Sequence, residues 1–250
     1  PQPPATTAVR SAVQVLAQLG AVEPLPANQD VSLTALGYHL SSLPLDVRIG
    51  KLLLLGALLG CVDATTTLAA GLSCRSPFVA PFGMRAEADE ARRTLAVGNS
   101  DHLTLLHAYS LWSGCSSRAE QESLCQQYFL SHKGLQLVCA TKRELLDHLE
   151  HAGFVNRASS TLRGSALGSV HSAASTLTPH HASDSQLIKA LLVGAMWPRV
   201  AKVEAPASKG KGRGAPQPER SDSGDVRYKV KDDAGVSSAA LHPSSVLAMA

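Results

Sequence analysis

Residues 33–61, LTALGYHLSSLPLDVRIGKLLLLGALLGC, limit what this chain can fold into more than any other stretch. They read as two helices joined by a stiff bend. Thr34 is placed to cap a short first helix whose Leu36, Leu40 and Leu43 recur at helical spacing. Pro44 ends it, because proline disfavours a helical conformation in the residue before it. Asp46 caps a second helix, and Val47, Ile49, Leu52, Leu53, Leu55 and Leu58 cover most of its circumference, with Lys51 as the polar gap. A helix apolar nearly all round must be buried on several sides. Its apolar run, 52–62, falls well short of the ~20 residues that span a bilayer, so it is a core helix. Gly56 and Gly60 cost roughly 1 kcal/mol each in propensity, tolerable where another backbone must come close.

The rest of the chain is organised in the same way. Leu and Ala dominate, aromatic residues are only 4%, and the strong segments have helical period, which gives a mainly α protein of one or two domains. Thr7 is placed to cap a helix stopped by Gly20. Further helices are expected over 64–72, from Ser100 or Asp101 to Trp112, over 120–129, and along Leu135, Val138, Lys142, Leu145, Leu146 and Leu149 to Gly153. Between them, 85–93 reads as a polar loop. Asp184 caps one more helix, and 200–203 and 226–230 read as strands. Two tracts, 156–183 and 204–224, are low in complexity and expected to be disordered.

Five cysteines form no C-x-x-C pair and are odd in number, which fits a reduced intracellular compartment. Net charge is +3, but residues 199–231 hold nine Lys/Arg against four Asp/Glu. A basic end on a near-neutral body suits a polyanionic partner or a solvated tail. The chain starts on a proline and shows neither a signal peptide nor a membrane span, so it reads as part of a longer protein with no membrane partner.

Several motifs stand together. Thr34, Leu36, Gly37, Leu40, Leu43, Pro44, Asp46, Arg48, Gly50, Lys51 and Cys61 form one dense pattern. Leu72-Ser73 with Pro77-Phe78, the run R-A-E-A-D-E-A-R at 85–92, and S-D-H-L-T-L-L-H-A-Y-S-L-W at 100–112 continue it. Gly194, Pro198, Val200, Ala201, Lys202 and Val203 follow, and L-H-P-S-S-V at 241–246 closes the series. In this order they resemble the helicase-associated region of DEAH-box and RNA-helicase-A-like ATP-dependent RNA helicases. The resemblance implies a partial winged-helix domain over 1–45, a helical ratchet (HA2) domain over 46–155 and a truncated OB-fold over 184–250, with the two tracts as insertions. A five-stranded OB barrel cannot be completed from the residues available.

The motor itself is not in this sequence. Gly50-Lys51 is followed by Leu52, inside a helix, and no phosphate-cradling G-x-x-x-x-G-K-[ST] loop exists. Asp89-Glu90-Ala91-Arg92 imitates a DEAH box without the preceding apolar strand. The stretch is therefore not expected to hydrolyse ATP alone; ATP and Mg2+ are implied for motor domains elsewhere in the parent. His148 and His151 sit three apart on a helix, but nothing completes a tetrahedral metal set, and neither a metal nor a cofactor is expected.

What the resemblance implies is an accessory wall of the RNA channel of a 3′-to-5′ helicase. Its partners would be single-stranded RNA or structured nucleic acid, the motor domains and protein cofactors. The residues it places along the RNA are Arg85, Arg92, Ser100, Asp101, His102 and Lys202. For Asp101 and His102 the plainer reading is helix capping and packing; both readings can hold, since free N–H groups at a helix start suit a phosphate. The alternative function is a non-catalytic helical scaffold for protein interaction, from a degenerate or split helicase gene.

Overall fold

A computed structural model describes residues 3–23, 31–155, 184–202, 227–232 and 235–248. The tracts 156–183 and 204–224, and with them Lys209, Lys211 and Arg213, lie outside the described residues. The described chain is mainly helical: α1 (Thr6–Gln18), α2 (Ala35–Ser41), α3 (Val47–Leu58), α4 (Val62–Ser73), α5 (Arg85–Leu95), α6 (Asp101–Ser113), α7 (Arg118–Gln127), α8 (His132–His151) and α9 (Ser185–Met196). Three strands follow, β1 (Ala201–Lys202), β2 (Arg227–Asp232) and β3 (Gly235–Ala240), in an antiparallel sheet of order β1-β2-β3. Among the described residues no helix is long and apolar enough to cross a membrane.

The capping signals do what their chemistry dictates. Thr34 Oγ1 accepts from Gly37 N–H at 2.9 Å and donates to Gly20 O at 2.7 Å, so one hydroxyl starts α2 and ties it to the turn after α1. Asp46 accepts from Arg48 N–H and Ile49 N–H, and Asp184 from Gln186 N–H and Leu187 N–H. Helix α1 departs from expectation, since its N-cap is Ala5 rather than Thr7, with no side-chain cap.

Helix α3 is the centre. Leu52, Leu53 and Leu54 are buried, and the helix packs against α2, α4 and α9. Its other face opens at Leu58, 66% exposed, so the apolar circumference is not covered all round. Lys51 is also more than a gap. Its Nζ donates to Leu19 O at 2.9 Å, capping the C-terminal end of α1, and burial lowers its pKa. Gly56 is needed for close packing, though a side chain rather than a backbone makes the approach. A Cβ there would lie 1.9 Å from Thr65 Oγ1 on α4. Gly60, by contrast, has φ +70 and ends the helix rather than packing within it. Gly56→Ala gains helix propensity of roughly 1 kcal/mol but must push α4 away; a net loss of about 1–3 kcal/mol in chemical denaturation is expected.

Helix α4 is buried along nearly its whole length, from Val62 to Gly71 with Asp63 half-buried. The hydroxyls of Thr65, Thr66 and Thr67 turn back onto carbonyls one turn earlier, at Cys61, Val62 and Asp63, which lets three polar side chains sit in the core. Helix α8 buries Leu135, Val138, Leu145, Leu146 and Leu149 as its spacing predicts, and ends before Gly153 at φ +79. Its Lys142 is buried too and reaches Asp63 Oδ1 at 2.7 Å.

Candidate nucleic-acid interface

The segment expected as a polar loop at 85–93 is helix α5. Local pairs explain it: Arg85 and Asp89 are one turn apart at 3.8 Å, and Glu90 and Arg93 at 2.6 Å, while Ala88 and Leu95 supply the buried face. Charge density hid an amphipathic helix. After it, Gly98 (φ +57) and Asn99 (φ +50) turn the chain, and Lys189 of α9 donates to Gly98 O at 3.0 Å.

That turn delivers the start of α6. Ser100, not Asp101, is the N-cap: its Oγ accepts from Leu103 N–H at 3.4 Å. Thr104 Oγ1 donates to Ser100 O at 2.8 Å and accepts from Val97 N–H at 3.2 Å, pinning the helix start to the turn before it.

Asp101 is left free to work sideways. Its carboxylate takes Arg92 Nη2 at 2.9 Å, Ser245 Oγ at 2.6 Å and Val246 N–H at 3.0 Å. Two segments, α5 nine positions earlier and 245–246 at least 144 positions later, therefore meet on one side chain. Arg92 in turn lies over the Phe78 ring, 4.3 Å from its centroid, and its Nε is buried with no hydrogen-bond partner among the described residues. His102 is half-buried next to Asp101. Burial pushes its pKa below the usual imidazole value against the opposing pull of the Asp101 carboxylate, so the ring is neutral at pH 7.

Of the six residues proposed from sequence, the structure gathers Arg92, Ser100, Asp101 and His102 at the α5–α6 junction. Arg85 lies two turns before Arg92 on the same helix, its side chain 64% exposed. Lys202 lies on β1, where its Cα is opposite that of Lys229. Sequence reasoning missed Phe78, Ser245 and Val246 as partners of this cluster. The L-H-P-S-S-V motif was visible, but no local pattern says that it docks on a residue 144 positions earlier. Among the described residues no group of three or more His, Cys, Asp or Glu is arranged to hold a metal.

Residues 12–45 match the winged-helix model of the helicase associated domain (HA2), and residues 46–105 match its ratchet-like model. DHX57 of Mus musculus is 38% identical over 214 residues, 83% of this chain and 15% of that protein. The ATP-dependent RNA helicase dhx29 of Xenopus laevis is 36% identical over 203 residues, 80% of this chain and 14% of that one. The ATP-dependent DNA/RNA helicase DHX36 of Bos taurus is 33% identical over 247 residues, 98% of this chain and 21% of that one. The chain thus spans a small part of the length of each relative. It carries the helicase-associated winged-helix and ratchet-like domains, and its homologues over most of its length are DEAH-box ATP-dependent RNA helicases.

Proposed function

We propose that this chain is the accessory RNA-channel segment of an ATP-dependent 3′-to-5′ RNA helicase, contacting single-stranded RNA and supporting motor domains that bind ATP and Mg2+. The observation that carries the reading is the α5–α6 junction, within a chain homologous to RNA helicases. The first N–H groups of α6 and the positive end of its dipole attract a phosphate. An aspartate at that point would ordinarily repel one. Here Arg92 neutralises Asp101, and Ser245 and Val246 occupy its lone pairs, so the carboxylate holds the wall together instead of facing the strand. Arg85, more exposed than Arg92, is the cation for the backbone, and neutral His102 suits a base or sugar. The sheet β1–β3, with Lys202, reads as the beginning of an OB-fold beside this wall.

The test is binding of a labelled single strand across a salt series, with residues 204–224 deleted so that their basic side chains do not mask the body. Arg85→Ala is expected to weaken binding and reduce the salt slope by about one, the signature of a lost phosphate contact. His102→Ala is expected to weaken binding with little change in slope. If the deletion abolishes binding and neither substitution matters, the folded body is not an RNA surface and the protein-scaffold reading replaces this one.

A further inference from the structure

Between α4 and α5 the chain makes a loop, S-P-F-V-A-P-F-G-M at 76–84, whose anchoring and exposure pull in opposite directions. At its base Phe78 bridges Leu130 in antiparallel fashion, Val79 N–H donates to Phe129 O at 2.9 Å, and Ser131 N–H donates to Pro77 O at 2.7 Å. Phe129, which accepts one of these bonds, has φ +51, a conformation bulky side chains rarely adopt. The far end of the loop is apolar yet open to solvent: Phe82 is fully exposed, and Val79 and Met84 are more than 40% exposed. A firmly held loop with a bare phenylalanine at its tip is not explained by packing.

Behind the loop is a cavity of about 520 Å3, in the range of small-molecule sites. Phe78, Phe82 and Phe129 supply aromatic surface, Arg85 and Asp89 come from the first turns of α5, and His242 comes from the 241–248 segment. His242 Nδ1 accepts from Ser244 N–H at 3.2 Å and lies 2.7 Å from Ser244 Oγ, which leaves Nε2–H as the donor of the ring. The lining thus combines stacking faces, a carboxylate acceptor, a ring N–H donor and an exposed guanidinium.

We propose that this cavity binds one unstacked nucleobase together with its phosphate. The base stacks on the aromatic side chains, Asp89 and His242 meet its polar edge, and Arg85 meets the phosphate. A purely aliphatic peptide side chain would need the phenylalanines but not this polar set. Base stacking on aromatic side chains is how proteins hold single strands without a duplex to read. The inference rests on the RNA reading above and adds a place where the strand gives up a base. The same chemistry could be presented by a free nucleotide.

The experiment measures anisotropy of a labelled single-stranded RNA with the full chain, the Phe82→Ala and Phe82→Trp variants, and a second RNA carrying an abasic site. Phe82→Ala is expected to weaken binding about tenfold with little change in salt slope, as loss of one stacked base does. Phe82→Trp is expected to restore it, and the abasic RNA to be insensitive to both changes. Because Phe82 is fully exposed, its variants should melt like wild type. Photo-crosslinks from 4-thiouridine should fall on peptides holding Phe82, Phe129 or His242. Wild-type affinity of Phe82→Ala, with crosslinks confined to 100–113, would overturn the cavity proposal while leaving the RNA reading intact. Absence of any RNA binding by the wild type would overturn both, unless adenosine or uridine monophosphate binds and Phe82→Ala weakens it. That result would keep the nucleotide site and discard the strand.

Discussion

Replacing Asp63 with alanine is expected to lower the melting temperature by roughly 6–20 °C, from a loss of about 3–5 kcal/mol. The reason is the partner left behind. Lys142 is 1% exposed, its Nζ 2.7 Å from Asp63 Oδ1 and 5.1 Å from the centroid of the Tyr109 ring. The Asp63 side chain retains about a third of its exposure, so water reaches the carboxylate but not the ammonium. Removing the carboxylate strands a positive charge among α4, α6 and α8. Removing the ammonium strands nothing comparable, so Lys142→Met, which keeps most of the volume, is expected to cost far less. Thermal melts of the two variants side by side check the argument. Equal losses would mean that shape, not charge, dominates at this position.

The second large effect is in α3. Leu53 is fully buried, and Leu53→Ala is expected to cost about 2–5 kcal/mol, through lost transfer energy and the cavity left behind. Leu58→Ala, five residues later at 66% exposure, is expected to change stability by less than about 0.5 kcal/mol. Urea denaturation of both, with unchanged m-values, separates the buried face from the open one. A small loss at Leu53 would show that α3 is not the element on which the others pack.

How legible was this in the sequence? The helix starts at Thr34, Asp46 and Asp184 were readable, because each side chain acts on N–H groups two or three positions away. The buried face of α8 was readable for a similar reason, since its period is a local property. The candidate site was half visible. Its members were named from a resemblance, and four of them do meet at one junction, but their roles depend on partners that spacing does not encode. Asp101 looked like a cap and is instead a tie between α5 and the 245–246 segment. Lys51 looked like a polar gap and Lys142 like one more member of the periodic face of its helix, and each reaches a specific acceptor more than thirty residues away. Dense charge at 85–93 suggested a loop because its ion pairs are internal to the helix they stabilise. Strand β3, rich in Ser and Ala, carries too weak a β-propensity to announce itself.

The Asp101 tie has a consequence for the order in which this molecule can be finished. Ser245 and Val246 follow Asp101 by 144 and 145 positions. At translation rates of roughly 5–20 residues per second, the nascent chain waits about 7–29 seconds between emergence of the carboxylate and arrival of its last two donors. Throughout that interval the growing polypeptide can pair Asp101 with Arg92 but has nothing to close over them. The junction is therefore assembled in two instalments, and a ribosome-bound intermediate should present it uncovered.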